Sequence, residues 1–142
     1  MHAQPAQIAA VLALPHPNAV TFRGLAACCE DGLPVESLYA LVRTLAPNHP
    51  DYLKTLITES TLRRRQKRGT LSPEESDLLV RLAKTWVMVL RTFGAEDKSR
   101  QFLFAEHPLL GGRKPVELAA MNLAGAQAVE QVLGRLRYGT AA

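Results

Sequence analysis

Leu38, Leu41, Val42 and Leu45 recur at i, i+3, i+4 and i+7, which is one apolar face of a helix. Pro34 suits its first position and Pro47 closes it. Upstream, Phe22, Leu25, Cys28 and Cys29 stand at helical spacing. Thr21 or Asn18 is the candidate cap, and Gly32 is the stop. Ala6 to Leu14 reads as a short helix or a mobile tail, ended by Pro15-His16-Pro17. A short helix with Tyr52, Leu53 and Leu56 follows Pro50, and Ile57-Thr58-Glu59 forms a turn. Thr58 or Ser60 then caps a basic helix ending at Gly69.

Two short helices joined by a tight turn, the second basic, follow the order of a helix-turn-helix. With Leu62 turned inward and about 100° per residue, Ser60, Arg64 and Lys67 lie nearly opposite it. Thr61, Arg63 and Arg68 occupy the flanks, and Arg65 leans back toward the core side. Short hydroxyls at the helix start suit base edges, and flanking cations suit phosphates. Ser60, Thr61, Arg63, Arg64, Lys67 and Arg68 are therefore the expected DNA-binding residues. A solvated helix face without a ligand is the plainer alternative.

The next helix carries the strongest start signal. Ser72-Pro73-Glu74-Glu75 is a capping box with proline at the first helical position. Leu78, Leu79, Leu82, Ala83, Trp86, Val87, Leu90 and Phe93 continue it to Gly94. Val87-Met88-Val89-Leu90 makes its second half apolar nearly all round. Such a helix is buried on several sides, by a dimer partner or by its own domain. A helix from Asp97 to about Ala105 ends at His107-Pro108. Another opens at Pro115, a break is expected near Gly125, and the last helix runs from Gln127 to Arg137. The fold class is all-α. Residues 1–19 are a flexible or short-helical segment, 20–70 the helix-turn-helix domain, and 71–142 the long helix with a small helical domain.

Composition agrees with helices: 47% of residues are apolar but only 6% aromatic. Lys and Arg number 17 against 13 Asp and Glu, and five of those cations lie between Arg63 and Arg68. Without them the balance becomes slightly acidic, so the net positive charge is local to one element. A confined basic patch is a nucleic-acid signature. Adjacent Cys28 and Cys29 cannot readily bridge each other, and two buried thiols in a reducing cytoplasm are expected. No membrane span is expected. The four histidines are scattered, no CxxC occurs, and no phosphate loop or nucleophile–base set is visible. The expectation is a cytoplasmic protein that is not an enzyme and has no metal site or cofactor.

The order of motifs resembles the Xre/MbcA/ParS antitoxins of bacterial type II toxin–antitoxin systems. Gly32-Leu33-Pro34, Ser60 to Arg65, Gly69 to Ser76, Phe93-Gly94, Leu110 to Leu118 and Gly134 to Gly139 carry the resemblance, which spans about Val20 to Gly139. It implies an Xre-like helix-turn-helix part followed by a toxin-binding part. It also implies neutralisation of a partner toxin, commonly an NAD-consuming RES-type protein. The implied assemblies are a homodimer, a toxin–antitoxin hetero-oligomer and a complex with operator DNA that represses the operon. The implied toxin-binding residues are Phe102, Leu109, Leu110, Gly112, Arg113, Pro115, Arg135, Arg137, Tyr138 and Gly139. Phe102 stands where the family often has Trp, Glu106-His107 replaces a commoner Pro-Asn, and Arg137 replaces a frequent acidic residue. These departures bear on which toxin is fitted. The tail from Tyr138 to Ala142 would enter a toxin pocket that normally holds an anionic nucleotide. Two rivals remain: a stand-alone repressor whose C-terminal half only dimerises, and an interaction module with an incidental basic face.

Overall fold

In the computed structural model, residues 3–139 are described, and they form α-helices and short 3-10 turns with no strand among them. Their contacts separate them into two compact units, residues 4–80 and residues 81–139, the second also taking Ala3.

The first unit begins with α1 (Pro5–Val11), which opens on Pro5 and buries Ile8 and Ala9. Leu12, just beyond it, is also fully buried, and its carbonyl accepts a 2.7 Å hydrogen bond from the buried Ser37 hydroxyl. α2 (Phe22–Asp31) is capped by Thr21, whose Oγ1 accepts from the Gly24 N–H at 3.0 Å, and it stops at Gly32. α3 (Val35–Leu45) buries Leu38, Leu41, Val42 and Leu45, the face expected from their spacing. A 3-10 turn at Pro50–Tyr52 leads into α4 (Leu53–Leu56), and Thr58 caps α5 (Glu59–Arg68). α6 (Pro73–Phe93) follows with its capping box formed. Glu75 N–H donates to Ser72 Oγ at 3.1 Å, and Ser72 N–H donates to Glu75 Oε1 at 2.8 Å.

Pro34 departs from the sequence expectation. It is the extended residue before α3 rather than the first helical one. The reason is a short antiparallel pairing of Pro34 with Thr70. Leu71 N–H donates to the Leu33 carbonyl at 2.8 Å and Val35 N–H to the Gly69 carbonyl at 3.2 Å. Leu33 N–H is taken by the fully buried Ser76 hydroxyl at 2.8 Å. Gly32, at φ +92°, lies where an added Cβ would strike the Leu71 carbonyl oxygen.

The second unit contains α6 from Arg81 onward, α7 (Glu96–Phe104), α8 (Pro115–Met121) and α9 (Leu123–Arg137). Every residue from Thr85 to Val89 is buried. The break expected near Gly125 falls instead at Asn122. The Asn122 side chain caps α9 by accepting from the Gly125 N–H at 2.8 Å, which moves the helix start to Leu123. Gly125 is a packing residue: a Cβ there would run into the Leu118 backbone carbonyl. Arg81 binds the end of α8, with Nε donating to the Ala119 carbonyl at 2.7 Å and Nη2 to that of Ala120 at 2.8 Å. Lys84 reaches Glu130 of α9 at 3.3 Å, and the Arg100 guanidinium lies 5.4 Å from the Trp86 ring centre.

Candidate functional site

α4, the turn at Ile57-Thr58 and α5 form the helix-turn-helix. Ile57 is buried and anchors the turn. Thr58 Oγ1 accepts from the Thr61 N–H at 3.3 Å and donates its own proton to Thr61 Oγ1 at 2.8 Å. α5 ends where Gly69 turns left-handed at φ +88°.

The structure puts all six expected DNA-binding residues on α5. Ser60, Arg63, Arg64, Lys67 and Arg68 are exposed, and Thr61 is half-buried. Arg64 Nη2 donates to Thr61 Oγ1 at 3.2 Å, which draws that guanidinium toward the helix start. Arg68 Nε reaches the Thr70 carbonyl at 3.4 Å, and Arg63 lies 3.8 Å from Glu59 with both side chains largely in solvent. Leu62 and Arg65 are the residues that turn inward. Arg65 forks onto Glu75, with Nε to Oε1 at 2.7 Å and Nη2 to Oε2 at 3.2 Å. Burial alone would raise the Glu75 carboxyl. The hydrogen bonds from Arg65 and Ser72, with the Arg65 charge, outweigh it and hold that carboxyl below the usual range.

The second candidate set lies in the other unit. Phe102 is half-buried against Phe93 and His107, with ring centres 5.1 and 5.9 Å away. His107 organises the following loop. Its N–H donates to the Arg113 carbonyl at 3.1 Å, its carbonyl accepts from the Gly112 N–H at 3.0 Å, and its Nδ1 accepts from the Leu109 N–H at 3.1 Å. Gly111 and Gly112 both take positive φ there, at +65° and +78°. Leu109 is exposed and Arg113 lies 3.4 Å from Glu117. Leu110 and Pro115 are buried, so their side chains fix the loop from within rather than offer surface. Arg135, Arg137, Tyr138 and Gly139 are all exposed at the end of α9, and Thr140 to Ala142, the rest of the expected tail, lie outside the described residues.

Two features escaped sequence reasoning. Met121 and Leu123, flanking Asn122, are 50% and 67% exposed. Leu123 stands three residues before the buried Ala126, a spacing that ordinarily shares an inward face. Cys28 is exposed rather than buried, and both cysteines are free thiols. Only Cys29 is partly covered, and burial, aided by the charge of Asp77, pushes its thiol up. The face of α2 that carries Leu25 inward does not extend as far as Cys28. Among the described residues there is no group of three or more His, Cys, Asp or Glu able to hold a metal ion, and no helix long and apolar enough to cross a membrane.

These features define a helix-turn-helix unit followed by a separate small helical unit. Residues 30–84 match the family model for the antitoxin Xre-like helix-turn-helix domain, and residues 89–139 match the antitoxin Xre/MbcA/ParS C-terminal toxin-binding domain. The chain thus carries the two antitoxin domains in that order. No curated protein matches it.

Proposed function

We propose that this chain is the antitoxin of a type II module that binds and neutralises a toxin of the NAD-consuming RES type and represses its own operon as a homodimer. One observation carries the reading. A helix-turn-helix whose second helix holds four exposed cations shares a chain with a match to a toxin-binding antitoxin domain. Ser60, Thr61 and Arg64 meet base edges, and Arg63, Lys67 and Arg68 meet phosphates. Phe102, Leu109, Gly112, Arg113, Arg135, Arg137, Tyr138 and Gly139 form the toxin-binding surface, with Leu110 and Pro115 supporting its loop from inside.

Co-expression with the product of the adjacent reading frame tests both halves. The expected result is a co-purifying complex, restored growth and restored cellular NAD. Binding to the DNA upstream of the reading frame should weaken with salt. With three cations per subunit of a dimer on phosphate, log affinity falls against log salt at a slope of roughly −5. Unrestored growth refutes neutralisation, and a slope near zero refutes DNA binding.

A further inference from the structure

α5 has no fully buried residue. Leu62, its inward apolar side chain, is only half-buried. Apolar packing therefore does little to hold the roll of this helix about its axis, although its proposed role depends on that roll. A side-chain tip lies roughly 5–6 Å from the helix axis. A roll of about 20° therefore moves it by about 2 Å, well outside the narrow window of a hydrogen bond. Contacts to phosphate tolerate such a shift far better, because they act through charge at longer range.

The polar contacts of α5 are unequal. The Arg63–Glu59 pair lies within the helix and cannot fix its roll against anything else. The Gln66–Tyr39 bond, at 2.6 Å, joins α5 to α3 but is exposed. Arg65–Glu75 is the best-shielded contact that leaves the helix, with side chains 18% and 22% exposed. It is bidentate, and a guanidinium fork resists rotation where a single bond does not. Glu75 is itself fixed, because its Oε1 also closes the capping box of α6 through the Ser72 N–H. The fork thus ties the middle of α5 to a carboxylate that cannot swing away.

We infer that Arg65 and Glu75 are a positioning pair that sets the roll of α5, and with it the discrimination of one DNA sequence from another, without either residue touching DNA. This rests on the DNA-binding reading above. Glu75→Gln keeps the capping box, since glutamine also serves at that position, but loses the charged fork. Arg65→Lys keeps the charge and loses the second hydrogen bond, and is the milder change should Glu75→Gln fold poorly.

The test uses the full chain and two duplexes, one spanning the region upstream of its own reading frame and one of scrambled sequence with the same composition. Each affinity is measured over a range of salt. Both variants should lower the preference for the upstream duplex by about tenfold or more, the scale of a lost base contact. Affinity for the scrambled duplex should stay within about twofold and the salt slope should not change, since phosphate contacts alone set both. The double variant should discriminate no worse than the poorer single one, as expected for one coupled unit. A preference kept within about twofold of the parent overturns the inference. So does an equal loss on both duplexes, which would mean the pair only holds the fold. If the parent chain binds neither duplex, the DNA-binding reading itself falls and takes this inference with it.

Discussion

Replacing Arg81 by alanine removes both hydrogen bonds through which α6 holds the last turn of α8. α8 is seven residues long, too short to persist in water by itself. Its final carbonyls have no partner inside the helix, and Arg81 takes those of Ala119 and Ala120 at 2.7 and 2.8 Å. A hydrogen bond from a charged donor contributes about 1.5–3 kcal/mol net, and a cation at a helix C-terminus adds about 0.3–1 kcal/mol. The two bonds share one guanidinium and are not additive, so Arg81→Ala should cost about 2–4 kcal/mol. In a chain of this length each kcal/mol moves the midpoint by about 2–4 °C, which makes the expected fall in Tm about 5–15 °C. Arg81→Lys retains the charge but not the fork and should recover about half. Thermal unfolding followed by circular dichroism measures the loss, and amide exchange in residues 116–121 locates it. A Tm within about 2 °C of the parent, with unchanged exchange in α8, would refute the reasoning, since shifts that small correspond to no more than about 1 kcal/mol.

Gly125→Ala should destabilise by about 1–3 kcal/mol, because the methyl meets the Leu118 backbone, which cannot turn aside as a side chain would. Gly134→Ala in the same helix has open space around its added Cβ and should instead stabilise by about 0.5–1 kcal/mol; paired urea titrations compare the two signs. The folded-state pKa of Glu75 is depressed. Its contribution is therefore complete above the unfolded value of about 4.3 and fades as pH falls through the folded one. Urea midpoints should drop across that acid range, and Glu75→Gln, already weaker at neutral pH, should show a shallower drop. Arg64→Ala should weaken binding to the upstream duplex by about 1–3 kcal/mol while leaving the complex with the partner toxin intact, read by mobility shift and by co-purification.

Features set by residues three or four apart were legible in the sequence. The Ser72–Glu75 box, the Thr21 cap, the stops at Gly32 and Gly69 and the inward lean of Arg65 all follow from helix geometry. The all-α class follows from the same rules, whereas the order of a helix-turn-helix part and a toxin-binding part came from the family resemblance. What was not legible depends on partners far along the chain. Pro34 leaves its expected place because Thr70 pairs with it, and Arg81 finds α8 some 38 residues away. Gly125 reads locally as a helix breaker, whereas its true role is set by the Leu118 backbone across the α8–α9 corner. Cys28 and Leu123 show the converse: their apolar spacing is helical, but neither side chain is covered. For the candidate site, the phase of α5 placed the exposed cations correctly. Spacing could not reveal that Leu110 and Pro115 point inward, because one lies in a three-residue turn and the other opens a seven-residue helix, and neither is long enough to show a period.

The boundary between the two units, at residues 80 and 81, falls inside α6. Chains that join two functional parts commonly do so through an exposed linker, which proteases cut and recombination exploits. Here that weak point is a stretch of helix whose backbone is engaged in its own hydrogen bonds. A protease probing the native protein should pass over residues 78–83 and cut at loops elsewhere. A grafted chimera would have to splice two helices rather than two tails. The helix-turn-helix part and the part that matches the toxin-binding domain are accordingly expected to be inherited together, with new specificities arising by substitution within each part more readily than by exchange of whole parts.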